Sequence, residues 1–204
     1  SIEKLGEIVD LDTENQEGKK LASKHNFTIE LKDVGYKVKQ MDYPILSGIN
    51  LKIKPKDKLL VRGESGSGKS SLLRLLAGIY NPTSGTIFVG EDNLKALNFN
   101  QYRSFLGLSL AEESPFEGSL KENLTFGDSS ITDGAIRELL QVLGLESFIK
   151  SLPLGLETII HPEGKHLSYS TRKKIILARA LLHQPKCLIL EDPLDIFSKD
   201  ETQQ

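Results

Sequence analysis

Gly63-Glu64-Ser65-Gly66-Ser67-Gly68-Lys69-Ser70 is the stretch on which the fold turns. It fits the pattern G-x-x-x-x-G-K-[ST], and its flanks suit that pattern. Lys58 to Arg62 reads as a short strand running into the loop, and Ser71 to Ala77 has helical spacing that stops at Gly78. Glycines let successive backbone N–H groups turn inward around phosphate oxygens with no Cβ in the way. The helix that begins near Lys69 points its positive end at the same oxygens. Lys69 is placed to reach the β- and γ-phosphates, and the Ser70 hydroxyl to sit on Mg²⁺. The candidate nucleotide-binding residues are therefore Gly63, Glu64, Ser65, Gly66, Ser67, Gly68, Lys69, Ser70 and Ser71. A chance Gly/Ser turn before a helix is the bland alternative, and the flanking strand and helix count against it. The loop by itself does not choose among kinases, GTPases, ATPases and helicases.

Working outward, Phe27 to Val38 and Ile45 to Ile53 read as strands separated by a Pro-containing turn, and Thr86 to Val89 as another. Residues 100–155 are more helical: Ile136, Leu139, Leu140 and Leu143 recur at helical spacing before Gly144. Ser170 to His183 is a second long helix with Pro185 just past it. Cys187-Leu188-Ile189-Leu190 is a short apolar strand ending in Glu191-Asp192. The order of strand, phosphate loop, helix and later acidic strand end predicts an α/β fold, its sheet covered by helices on both faces. At the start, Ile2, Leu5, Ile8 and Val9 carry helical spacing, and periodicity is lost from Asp10 to Lys20. That predicts a short amphipathic helix and a linker.

Composition narrows the field. With 204 residues, 38% of them hydrophobic and 26% charged, the chain is long enough for one α/β domain carrying an inserted subdomain. A net charge of −2 argues against a nucleic-acid partner held by bulk electrostatics. The single cysteine, Cys187, forms no intrachain disulfide, which fits a reducing compartment. No run approaches the roughly 18 apolar residues of a membrane span, and Ser1-Ile2-Glu3-Lys4 is not a signal peptide.

Nearly the whole chain resembles the nucleotide-binding domain of an ABC transporter, particularly the exporter type with membrane and ATP-binding parts on one polypeptide. The resemblance rests on Pro44 to Leu51 before the loop, Leu72 to Gly78 after it, and Pro82 to Ile87. It continues through Phe116 to Asn123, Leu152 to Thr158, Ile175 to Leu182 and Pro185-Lys186, all in the family's order. It implies a P-loop NTPase (RecA-like) core with an antiparallel β subdomain and an inserted α-helical subdomain at about residues 100–155. It implies residues 1–26 as the linker leaving a transmembrane domain on the same polypeptide, and 27–204 as a nucleotide-binding domain incomplete at its C-terminus. It further implies ATP and Mg²⁺ as cofactors and a second nucleotide-binding domain as partner. The expected place is the cytoplasmic face of the membrane. Two ATPs are then sandwiched, each between one domain's phosphate loop and the other's signature sequence.

Several positions depart from the family's pattern. Its signature L-S-G-G-Q reads Leu167-Ser168-Tyr169-Ser170-Thr171 here. Ser168 remains, while Tyr169 and Ser170 put side chains where the partner's nucleotide must approach the backbone closely. The family's Asp-Glu at the acidic strand end is inverted to Glu191-Asp192. Glu191 would take the Mg²⁺-associated position and is one methylene too long. Asp192 would take the position of the catalytic base and is too short by roughly 1.5 Å, a misplacement large enough to cost much of the rate. Ala111 or Glu112 falls where the family has glutamine, and Val38 where it has an adenine-stacking aromatic, with Tyr36 and Tyr43 nearby. Pro193 to Ser198 lacks the family's S-A-L-D, and none of His25, His161, His166 and His183 matches its switch histidine. These departures predict tight nucleotide binding with slow or absent turnover. The alternatives are a non-catalytic module in which ATP only fastens a dimer, a soluble family member acting in translation or DNA repair, and a small-molecule kinase.

Overall fold

The computed structural model describes residues 18–20 and 27–192, and its chain divides into two compact units between Arg103 and Ser104. In the first unit a four-stranded antiparallel sheet has the order β2-β1-β3-β4. Its strands are β1 (Ile29–Tyr36), β2 (Leu46–Ile53), β3 (Ser84–Val89) and β4 (Asp92–Asn93). Alternate residues Ile29, Leu31, Ile87 and Val89 are buried, as period-two patterning of a one-sided sheet requires. The ladder shifts register between Leu31 and Val34, where Asp33 takes a positive φ of 49°. The Asn50 side chain bridges the irregularity, donating to Asp33 Oδ1 (2.7 Å) and accepting from the Asp33 N–H (3.0 Å). Helix α1 (Lys69–Leu76) buries Leu72, Leu75 and Leu76, and α2 (Phe99–Ser104) buries Phe99 and Tyr102.

The expected strand over Lys58 to Arg62 is not formed. A turn closes just before it, with the Asp57 carboxylate accepting from the Lys54 N–H (2.8 Å) and Lys56 at φ +72°. A strand exists through its lateral hydrogen bonds, and among the described residues nothing pairs with this segment. Leu59 and Leu60 are exposed. The other strands and the long helices lie within a few residues of their expected places. The amphipathic helix expected before Asp10 and the stretch from Pro193 lie outside the described residues. Within the expected linker, Lys19 bridges to Leu97 and pairs with Asp92 at 2.7 Å.

In the second unit β5 (Leu106–Ser109) pairs in parallel with β8 (Cys187–Leu190), and β6 (Gly118–Ser119) pairs with β7 (Ile159–Ile160). Helices α3 (Leu120–Thr125), α4 (Asp133–Val142), α5 (Glu146–Ser151) and α6 (Tyr169–Leu182) complete it. Leu120, Leu124, Ile136, Leu140, Ile160 and Ile175 form its core, all nearly inaccessible to solvent. The long helix α6 is buried from Lys173 to Ala180, so its charged side chains have to find partners inside. Arg179 does so by donating from Nε to the Asn123 carbonyl (2.6 Å) and from Nη2 to Asn123 Oδ1 (3.0 Å).

Candidate functional site

The phosphate loop lies in the first unit and takes the backbone shape its glycines permit. Gly66 and Gly68 have φ of +81° and +88°, in the left-handed region. Gly68 is the N-cap of α1, and no side chain caps that helix start. Orphan N–H groups of a first turn are what an anionic oxygen would use. A Cβ at Gly68 would stand 2.8 Å from Leu46 Cδ2 and 3.1 Å from Ile45 Cγ2, so β2 crowds this point of the loop. The Lys69 ammonium donates to the carbonyls of Gly63 (2.9 Å) and Glu64 (2.7 Å). The lysine thus lies over the loop it belongs to, with one N–H left for an oxygen beyond it. Glu64, Ser65, Gly66 and Ser67 are exposed, and Lys69, Ser70 and Ser71 half-buried. This is a cradle of backbone donors with an ammonium and a hydroxyl at its rim, and its donor set fits a triphosphate.

Of the two tyrosines flanking Val38 in sequence, Tyr36 is engaged. Tyr36 stacks on Tyr80 with ring centroids 4.8 Å apart, and burial, then Tyr80, raises its phenol above the ordinary value. Tyr43 is exposed.

The signature residues and the acids lie in the second unit. Ser168 is the N-cap of α6: its Oγ accepts from the Thr171 N–H (3.1 Å) and lies 2.8 Å from Thr171 Oγ1. Tyr169 begins the helix with its phenol about half exposed, and Lys173 Nζ stands 5.9 Å from the ring centre. Leu167 packs on the core, as its apolar side chain suggests. Ser170 is half-buried in the first turn.

At the end of β8, Glu191 continues the parallel pairing, its N–H donating to the Ser109 carbonyl (2.9 Å). Its Oε2 accepts from the Ala111 N–H at 2.9 Å. Ala111 is one of the two positions where glutamine was expected, so the long acid reaches the segment whose amide side chain is missing. Asp192 is exposed, with φ +51°. Glu113, two residues past Ala111, has its carboxyl pushed up by burial, against the lowering pull of Arg179 and Lys173.

Sequence reasoning did not find two participants, Lys173 and Arg179. Two cations on a helix with a serine cap look solvated from their residue types alone, and only the burial of α6 shows that they point inward. His161 and His166 meet edge to face with centroids 4.9 Å apart, and His183 lies against Phe126. Among the described residues no group of three or more His, Cys, Asp or Glu is placed to hold a metal, and no helix is long and apolar enough to cross a membrane.

Comparison with known proteins agrees with this geometry. Residues 46–195 match the family model described as ABC transporter. The chain is 34% identical over 185 residues to ABC multidrug transporter mdr1 of Aspergillus fumigatus, covering 89% of this chain and 14% of that protein. It is 38% identical over 167 residues to ATP-dependent permease MDL1 of Candida albicans, covering 78% of this chain and 24% of that one. Among solved structures, a bacterial Atm1-family ABC exporter with ATP bound superposes with TM-score 0.80 at 22% identity, over 92% of this chain and 33% of that chain. The chain therefore spans only a minor part of the length of the relatives it matches. On the family match and these identities, the chain belongs to the ABC transporter family.

Proposed function

We propose that this chain is the ATP-binding domain of a membrane exporter, coupling ATP binding to transport, and that it hydrolyses ATP slowly. The observation that carries the reading is the loop with left-handed Gly66 and Gly68 and with Lys69 held over it by two carbonyls. Family membership and relatives named as a multidrug transporter and a permease support it. Lys69 and the first N–H groups of α1 bind the phosphates, with contacts from Gly63 to Ser71 orienting the chain of oxygens. Ser70 and Glu191 supply a hydroxyl and a carboxylate, the hard oxygen donors that suit Mg²⁺. Magnesium, when bound, neutralises charge that develops on the transferring phosphoryl group.

Asp192 is the acid available to orient a water, and it falls short by about one methylene of the glutamate the family places there. The partner-facing Tyr169 and Ser170 add bulk where close backbone approach is needed. A site shared with a second nucleotide-binding domain then carries a defect whichever partner is present. Paired with itself, the chain brings both defects to both sites; paired with a family-standard domain, it brings one to each. The proposal includes a transmembrane domain on the same polypeptide, joined through residues 1–26, at the cytoplasmic face of the membrane. A second reading, a module in which ATP only fastens a dimer, is favoured by the same Asp192 and Tyr169.

Titration calorimetry with MgATP and phosphate-release assays on the full protein test these readings. The expected outcome is binding that Lys69→Ala reduces at least about tenfold, the equivalent of one charge-assisted hydrogen bond, with slow turnover. Binding with no phosphate release at all selects the dimer-fastening module. Turnover at ordinary family rates that depends on Lys69 removes the slow-hydrolysis reading, and absence of any nucleotide binding removes both.

A further inference from the structure

The exit of β5 is held from two sides by charged groups that sequence reasoning did not connect. From α6, the buried Lys173 ammonium donates to the carbonyls of Leu110 (3.0 Å) and Ala111 (2.6 Å). From the end of β8, the Glu191 carboxylate accepts from the N–H of Ala111 at 2.9 Å, across 80 positions of sequence. The Ser109 carbonyl accepts from the Glu191 N–H at 2.9 Å. Lysine is only 7% exposed here, so its charge is dissolved by these two carbonyls in place of water. A peptide that gives its oxygen to a cation and its hydrogen to an anion is polarised in the direction that strengthens both bonds.

We infer that Lys173 is a positioning residue, which fixes the Glu191 carboxylate through the Ala111 peptide. Lys173 touches no nucleotide atom in this scheme. It holds residues 110 and 111 at one orientation, and the Ala111 N–H then holds Oε2 of Glu191. The length of Glu191 has a local use under this assignment, because an aspartate at 191 would fall short of the Ala111 N–H by about 1.5 Å. The inference deepens the proposed function, since it takes Glu191 as an acid that would serve Mg²⁺. Its structural half, the clamp on Ala111, stands independently of nucleotide.

Amide hydrogen exchange on the nucleotide-free full chain tests the clamp directly. Lys173→Met keeps the aliphatic stem and removes the donors; Lys173→Gln restores a neutral donor; Glu191→Ala removes the acceptor. The Ala111 amide is expected to exchange about tenfold faster in Lys173→Met and in Glu191→Ala, the factor equivalent to one net hydrogen bond. Lys173→Gln is expected between Lys173→Met and the parent, and the double variant Lys173→Met/Glu191→Ala less than the product of its singles. Core amides of α4 serve as the internal reference. Unchanged exchange at Ala111 in Lys173→Met, with the α4 amides also unchanged, overturns the inference, as does a uniform rise in both places.

In ATP-binding titrations, Lys173→Met is expected to raise the Mg²⁺ concentration for half-maximal effect about tenfold, in the range for residues that orient a metal ligand. Affinity for ATP in excess EDTA is expected to stay as in the parent chain. An equal loss with and without Mg²⁺ overturns the positioning role. If the parent binds no ATP, the reading of the site fails while the exchange experiment still decides the clamp.

Discussion

At Gly68 a methyl group would meet Leu46 Cδ2 at 2.8 Å, and the backbone there has φ +88°. Gly66, by contrast, has φ +81° with nothing within 4 Å of an added Cβ. The two glycines are thus required for different reasons, backbone hand alone at 66 and hand plus crowding at 68. Gly68→Ala is expected to lower stability by about 1–2 kcal/mol from the left-handed conformation alone, with a further loss of nucleotide affinity as the loop shifts away from β2. Urea unfolding and calorimetry on the same preparation check both. Gly66→Ala is expected to show the stability loss with a smaller change in affinity. The loop was legible in sequence because its chemistry is local: eight consecutive residues carry the turn, the charge and the hydroxyl. The reach of Glu191 to Ala111 was not legible, since chain separation hides which side chains face one another.

Among the elements, α3 shows how a short helix is held at its start. Ser119 and Glu122 form a capping box: the Ser119 Oγ accepts from the Glu122 N–H (3.1 Å) and Glu122 Oε2 from the Ser119 N–H (2.7 Å). The Ser119 N–H and its hydroxyl hold the Glu122 carboxyl below the ordinary carboxylate value. A depressed acid contributes stability that is present above its unfolded value and lost as pH falls through its folded one. Acid unfolding of the second unit is therefore expected to have a component in the range below ordinary glutamate titration. Glu122→Gln is expected to flatten that limb of a plot of unfolding midpoint against pH, by lowering the midpoint near neutrality and leaving it little changed at the acid end. An unchanged acid limb in the variant would show that Glu122 contributes nothing to it. The neighbouring helix α4 starts at Thr132, whose hydroxyl oxygen accepts from the Ala135 N–H, and Thr132→Ala is expected to cost about 1 kcal/mol in urea unfolding.

Helix periodicity predicted α4 and α6 well, because three or four apolar positions recur within one element. The strand expected at Lys58 to Arg62 failed for the opposite reason. Its five residues have strand-like composition, and strand formation depends on a lateral neighbour that composition does not name.

On the scale of the whole molecule, each unit builds its own core, and the second unit's is helical. Leu140 is 1% exposed and packs among Leu124, Ile136 and Ile175. Leu140→Ala is expected to destabilise that unit by about 2–5 kcal/mol, measured as a shift of its denaturation midpoint followed by exchange of α4 amides. The order of motifs along the chain made the architecture legible, because each motif is short and its flanks name the element on either side. What sequence could not supply is which buried cations on α6 serve which carbonyls. Lys173 and Arg179 differ in partner only through the path of the backbone around them.

The adjacent acids Glu191 and Asp192 are held in different ways, and this bears on how the strand end can be engineered. Glu191 is long enough to meet the Ala111 N–H, and Asp192 sits at φ +51°, a left-handed conformation that aspartate tolerates better than most residues. Each acid suits its own spot, so replacing either one alone sacrifices a local fit. Substitutions at 191 and 192 are therefore better designed together, along with the residue at 111 that Glu191 contacts.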